Sequence, residues 1–328
     1  MNRPVIYQVL LAARARTRTT VISQTRSYSS HPGTLNSIAS TRSKITTLTL
    51  HQLYRDNVPI TALTAHDFPS GLVADNAGVE IVLVGDSLAM VALGYENTNM
   101  LTLDEMLHHC RAVARGSKTA FLVGDLPFGS YEQSQEIAVQ SAIKMVQQGH
   151  VEAVKLEGGH EVAKAISAIT RFGIPVMGHI GLTPQRSAAL GGFKVQANTI
   201  QSARDLLDTA RALQHAGCFA IVLEAVPSEV ARIVTESIDI PTIGIGAGSA
   251  CSGQVLVQLD MVGGFQKFTP KFVKKFDNIY DRQIDAISQY VDQVKARQFP
   301  GPEHCYGMKT KEDAQRLIEW EQEKKSKI

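Results

Sequence analysis

The chain has 328 residues, 44% of them apolar and 20% charged, which is long and apolar enough for a sizeable globular core. No run approaches the roughly 20 consecutive apolar residues that cross a bilayer, which argues against a transmembrane protein. The four cysteines (Cys110, Cys218, Cys251 and Cys305) form no CxxC pair, so neither a disulfide framework nor a structural zinc is indicated.

The net charge of +2 is unevenly spread. Residues 1–28 carry Arg3, Arg14, Arg16, Arg18 and Arg26 among many Ser and Thr, and the first acid is Asp56. A cationic amphipathic helix is drawn by an inside-negative potential, so this segment predicts a mitochondrial transit peptide ending near Tyr28 and a place in the matrix. A disordered basic arm is the alternative. Taking those five arginines from the 33 basic residues leaves 28 against 31 acids, a net charge of −3, with no basic surplus for nucleic acid. Residues 29–44 read as a polar linker.

From there short apolar runs alternate with helical patterns. Strands are predicted at 59–65, 80–85, 119–124, 152–157, 174–179, 218–224, 240–246 and 254–259. They are continuous Val/Ile/Leu runs, as parallel strands covered on both faces require. "TLDEMLHHCRAVARG" opens on a capping box, Thr102 with Glu105, and ends at Gly116; "SYEQSQEIAVQSAIKMVQQG" predicts the same from Ser130 with Gln133 to Gly149. Eight strands in βα alternation predict a (β/α)₈ TIM barrel over 45–300, with a doubly wound open sheet as the alternative. Two further helical stretches, about 270–297 and 309–326, follow; 301–328 is read as a tail with a solvated helix.

The predicted strands end in "TAHD", "GDS", "GDLP", "KLEGG", "GHIG", "EAVP" and "GIGAG". In a barrel these ends open on one face, where chemistry collects. Asp86, Ser87, Asp125, Lys155, Glu157, His179 and Glu224 would therefore share one mouth. Clustered carboxylates raise one another's pKa unless a cation sits among them, and oxygen donors suit Mg²⁺. The bland alternatives are helix caps and pairs with Lys or Arg; Ser87 is a candidate cap and His179 a candidate packed histidine. The Gly-rich "IGIGAGSACSG" (243–253) has the spacing G-x-G-x-G, not that of a dinucleotide fingerprint, and reads as close backbone approach or tight packing.

These stretches, with "ITALTAHD", "VLVGDSLAM", "LVGDLPFGSY", "GHIGLTPQ", "GGFKVQ", "LEAVPSEVA", "TPKFVKKF" and "FPGPEHCYG" in order over about 60 to 308, resemble the ketopantoate hydroxymethyltransferase family. The resemblance implies a barrel of the phosphoenolpyruvate/pyruvate superfamily. It also implies a Mg²⁺-dependent enzyme that moves a hydroxymethyl group from 5,10-methylenetetrahydrofolate to 3-methyl-2-oxobutanoate, making 2-dehydropantoate for pantothenate. By motif position it implies Asp86 and Asp125 as metal ligands, with Glu157 completing the site directly or through water. Ser87, Lys155 and His179 are implied as substrate contacts and Glu224 as the general base. It further implies a homo-oligomer, a decamer in bacterial members. The chain departs from the family at His66, at Tyr95 and at Leu259-Asp260, where Tyr, His and a His-Asp pair are usual. Two other readings stand beside it: a Mg²⁺-dependent 2-oxo acid lyase or decarboxylase, and a non-catalytic metabolite-binding barrel.

Overall fold

The computed structural model describes residues 42–266 and 269–326; the transit-peptide segment and residues 29–41 of the linker lie outside them. Eight parallel strands close into a barrel in chain order: β1 Ile60–Thr64, β2 Ile81–Val84, β3 Phe121–Asp125, β4 Ala153–Glu157, β5 Val176–Gly181, β6 Ala220–Glu224, β7 Thr242–Ile245 and β8 Gly253–Leu256. β8 pairs back onto β1, with Ile60 opposite Gly253. The helices are α1 Thr47–Arg55, α2 Phe68–Ala77, α3 Leu88–Val91, α4 Leu103–Gly116, α5 Gln135–Gly149, α6 Ala163–Arg171, α7 Ser187–Leu190, α8 Ile200–His215, α9 Ser228–Ser237, α10 Gln258–Met261, α11 Ile279–Lys295 and α12 Lys311–Lys325.

The alternation lapses once. Residues 246–252 join β7 directly to β8, so the Gly-rich stretch leads into a strand rather than a helix, and the helix a dinucleotide loop would need is missing. Gly246, at φ +65°, lies where a Cβ would meet the ring of Phe272 at 2.7 Å; close packing is what the glycine permits.

Successive strand residues face opposite sides, which explains how one run is both core and site. Ile81 and Leu83, Phe121 and Val123, Ala153, Met177, and Ala220 and Val222 form the buried cluster inside the barrel. Continuing each alternation brings Asp125, Lys155, Glu157, His179 and Glu224 to the same inner face at its carboxyl end. The outward residues pack under the helices in a second, larger cluster.

The helix ends show where local signals suffice. Thr102 and Glu105 form the reciprocal cap of α4 as predicted. Gly116 is the last helical residue, as predicted, and Ser117 follows as the C-cap. A Cβ there would stand 2.4 Å from the carbonyl oxygen of Phe68, and one on Gly71 would stand 2.9 Å from that of Val113. The two glycines let α2 and α4 touch backbone to backbone. The α5 prediction needs correction: the cap is Ser134, accepting from the Ile137 N–H, while Ser130 spends its hydroxyl on the Pro127 carbonyl. Likewise α11 begins at Ile279, not 270.

The opposite, amino-terminal end of the barrel has its own carboxylates. Asp75 accepts from the Thr119 and Ala120 N–H groups at 2.9 and 2.7 Å, Glu80 from Thr61 at 2.8 Å and Glu152 from Leu122 at 2.9 Å. Lys44 reaches the Ala120 carbonyl and Glu152 from the segment before α1.

Candidate active site

Register places the charged groups. Asp125 lies opposite Lys155 and Glu157 opposite His179 in the ladder, so neighbouring strands deliver opposite charges side by side. Lys155 Nζ donates to Asp125 Oδ1 at 2.6 Å. His179 bridges two acids, with Nδ1 3.3 Å from Glu157 Oε1 and Nε2 3.2 Å from Glu224 Oε2. Both are ion-pair contacts out of line for a good hydrogen bond, which leaves His179 Nδ1 and Nε2 and Glu157 Oε1 buried without a hydrogen-bond partner.

Asp86 arrives differently. After Leu83 the next inward position falls just past β2, on Gly85, whose missing side chain leaves room beside Ser87 Oγ and Asp125 Oδ2. The chain turns there, and the Asp86 N–H donates to Asp125 Oδ2 at 2.9 Å. Ser87 precedes α3 and makes no capping hydrogen bond, so its hydroxyl is not committed to the helix. Asp86, Asp125, Lys155, Glu157 and His179 are all buried, whereas Ser87 and Glu224 are partly exposed. The seven predicted residues thus converge at one end of the barrel.

Burial and the neighbouring charges of Asp125 and Glu157 push Asp86 up to about 7, against the pull of Lys155 and a Gln185 hydrogen bond. Burial works against the Lys155 ammonium, yet Asp125, Asp86 and Glu157 outweigh it and raise its pKa. For His179 burial is again overcome, chiefly by Glu157, and its pKa is raised to about 9. Glu157 is lowered because His179, Lys155 and the Gln185 N–H outweigh its burial. Lys155 and His179 are therefore cations at neutral pH, and Asp86 is the acid left unbalanced.

That imbalance is the test of a metal. Oxygen donors with surplus negative charge fit a hard divalent cation. Among the described residues no three His, Cys, Asp or Glu side chains already surround one point, since Lys155 holds Asp125 and His179 faces Glu157. The fit rests on two carboxylates, Asp86 and Asp125.

Two residues not predicted complete the site. Gln185, after β5, donates its N–H to Glu157 Oε2 at 3.0 Å and its Nε2 to Asp86 Oδ2 at 2.9 Å. Its Oε1 accepts from the Tyr131 hydroxyl at 2.7 Å. The departures from the family have partners outside the seven site residues: Tyr95 donates to Glu105 at 2.5 Å, His66 Nε2 lies 3.7 Å from Asp67, and burial raises the pKa of Asp260 against the pull of Lys275.

Among solved structures, 2,3-dimethylmalate lyase, described as a PEP mutase/isocitrate lyase superfamily member, superposes with a TM-score of 0.51 at 15% identity, covering 86% of this chain and 97% of that one; the likeness is one of fold. In sequence, the 3-methyl-2-oxobutanoate hydroxymethyltransferase of Emericella nidulans is 57% identical over 281 residues, 85% of this chain and 80% of that protein. The rice (Oryza sativa subsp. japonica) protein named 3-methyl-2-oxobutanoate hydroxymethyltransferase 2, mitochondrial, is 53% identical over 266 residues, 80% of this chain and 67% of its own. The sequence model of ketopantoate hydroxymethyltransferase matches residues 44–302. With strand-end acids, lysine and histidine gathered in a closed barrel, and with this similarity spanning it, the chain belongs to the ketopantoate hydroxymethyltransferase family.

Proposed function

We propose that this chain transfers a hydroxymethyl group from 5,10-methylenetetrahydrofolate to 3-methyl-2-oxobutanoate, giving 2-dehydropantoate in pantothenate biosynthesis. The observation that carries the reading is the line Glu224–His179–Glu157 beside Lys155–Asp125–Asp86 at one mouth. Glu224, partly exposed at the rim, is the general base that takes the C3 proton of the 2-oxo acid. Its carboxylate forms an ion pair with His179 Nε2, a contact out of line for a hydrogen bond, which leaves that N–H with capacity for a substrate oxygen. The electron pair released at C3 moves toward the keto oxygen, where Lys155 supplies a fixed positive charge. Ser87 contributes a free hydroxyl to the same mouth. C3 then bonds to the folate methylene carbon as that carbon's bond to one nitrogen breaks, and water replaces its bond to the other; the two nitrogens take up the C3 proton and one proton of the water, leaving tetrahydrofolate and the hydroxymethyl group. A Mg²⁺ held by Asp86 and Asp125, with Glu157 acting through water, would supply Lewis-acid stabilisation of the keto oxygen's developing charge.

Residues 45–300 form the catalytic domain in this reading, 29–44 the linker and 301–328 an appended tail. The Arg-rich residues 1–28 and the rice relative's name support import into the mitochondrial matrix. No helix among the described residues is long and apolar enough to cross a membrane. Assembly with further copies of the chain is supported by α11, which buries none of its residues.

The test follows the C3 hydrogen of 3-methyl-2-oxobutanoate by proton NMR in D₂O, using protein lacking residues 1–28, with and without Mg²⁺. Metal-dependent exchange is expected, slowed about 10²–10⁴-fold in Glu224→Gln, and methylenetetrahydrofolate then converts the substrate to product. No exchange in any condition, including with a folate analogue bound, overturns the reading; exchange that persists in the variant removes Glu224 from its role.

A further inference from the structure

Gln185 and Tyr131 are buried to within 2% and 1% of full enclosure, yet neither belongs to the acids, lysine and histidine of the site. The Tyr131 hydroxyl faces two acceptors, Gln185 Oε1 and, at 3.0 Å, the Glu157 carbonyl; Gln185 Oε1 is the nearer. The Glu157 N–H lies 3.3 Å from the Tyr131 oxygen, and the Tyr131 hydroxyl lies 2.7 Å from Gln185 Oε1. Gln185 Nε2 then donates to Asp86 Oδ2 at 2.9 Å and to the Leu126 carbonyl at 3.1 Å. A carboxamide presents one accepting and two donating positions, and reversing it here would aim its oxygen at two acceptors. Asp86 and the Leu126 carbonyl therefore set the amide's orientation, and the tyrosine hydroxyl holds the oxygen so placed. Burial, with Glu132 and Glu157, raises the tyrosine's pKa, so its oxygen keeps the proton it donates.

We propose that Tyr131 and Gln185 are positioning residues that fix Asp86 for metal binding. They hold Oδ2 in a donor's grip and leave Oδ1 with no protein donor among the described residues to face the ion. The proposal deepens the Mg²⁺ reading above and rests on it. A neutral donor suits this place because it orients Asp86 without cancelling the charge a cation needs, whereas the lysine beside Asp125 does cancel it. The same glutamine fixes Glu157 through its backbone N–H, so one residue after β5 sets the ends of both β2 and β4.

Calorimetric titration of substrate-free protein with Mg²⁺ tests this in wild type, Tyr131→Phe, Gln185→Met and the double variant, alongside melting without metal. Partners of this kind change metal affinity about 10- to 100-fold. Gln185→Met is expected to weaken Mg²⁺ binding by about that factor and Tyr131→Phe by about tenfold, and the double variant is expected to match Gln185→Met, because the tyrosine acts through the amide. Unchanged affinity in folded variants, or losses that multiply in the double variant, overturns the relay and leaves the metal reading intact. A wild type that binds no Mg²⁺ overturns the metal reading, and the relay with it. Gln185→Met has nearly the volume of glutamine, so a melting loss with normal affinity would expose a purely structural role.

Discussion

Asp86 carries the charge that the rest of the site leaves unanswered. Asp125 has Lys155, and His179 stands between Glu157 and Glu224; Asp86 has only hydrogen bonds. Its folded pKa of about 7 lies above the unfolded value of 3.8. An acid so shifted costs stability as soon as pH rises above the unfolded value, and the cost reaches its full size once pH passes the folded one. A divalent cation relieves that cost only where Asp86 is ionised. The stabilisation by Mg²⁺, read as the melting temperature with metal minus that without, is therefore expected to grow from pH 6 to pH 8. In Asp86→Asn that growth disappears. His179 moves the other way: its raised pKa gives stability present below about 6.5 and lost as pH climbs through about 9. Comparing each pH with and without metal separates the two. An Mg²⁺ effect equal at both pH values would show that the ion does not meet Asp86.

At the scale of elements, what could be read in advance was what lies close along the chain. The strands declared themselves by apolar runs, and the site acids by ending those runs in the inward phase. Thr102 and Glu105 cap α4 because both halves of the box sit within one turn. Ser130 has the same spacing to Gln133, but a turn at Pro127 claims its hydroxyl and the helix waits for Ser134. Gln185 and Tyr131 were beyond reach for a different reason. Their bonds join residues 99 and 54 positions apart, and neither carries a charge; the signal was that each closes a stretch quoted for the resemblance, "LVGDLPFGSY" and "GHIGLTPQ", directly after a site strand. Gly116 does end α4 as predicted, and it also serves as a contact between helices. Gly116→Ala places a Cβ against the Phe68 carbonyl, and overpacking of this kind costs roughly 1–3 kcal/mol. Denaturant melts are expected to show that loss with an unchanged m-value, although alanine is the better helix former. A stability equal to wild type would mean that α2 and α4 separate freely.

At the scale of the molecule, α11, like α12, buries none of its residues, but α11 alone of the two carries a regular apolar stripe. Tyr280, Ile284, Ile287, Val291 and Val294 repeat at alternating steps of four and three and are 37–59% exposed, the pattern of a helix that packs on another helix. A symmetric pairing satisfies two such stripes at once, which is why a second copy is the proposed partner. Ile287→Asp is expected to shift sedimentation toward the monomer while far-ultraviolet dichroism stays unchanged; an unaltered sedimentation coefficient would place the stripe outside any subunit contact. The barrel is also divided along its axis. At one end Asp75, Glu80 and Glu152 are filled by the N–H groups of β1 and β3 and the turn before it. At the other end, among the described residues, the acids share hydrogen bonds with one another, with Lys155 and with the segments that follow the strands. The foundation and the workshop are thus separately wired. Descent with modification can rewrite the residues after the strands, one reaction giving way to another, while the floor beneath them is inherited unchanged.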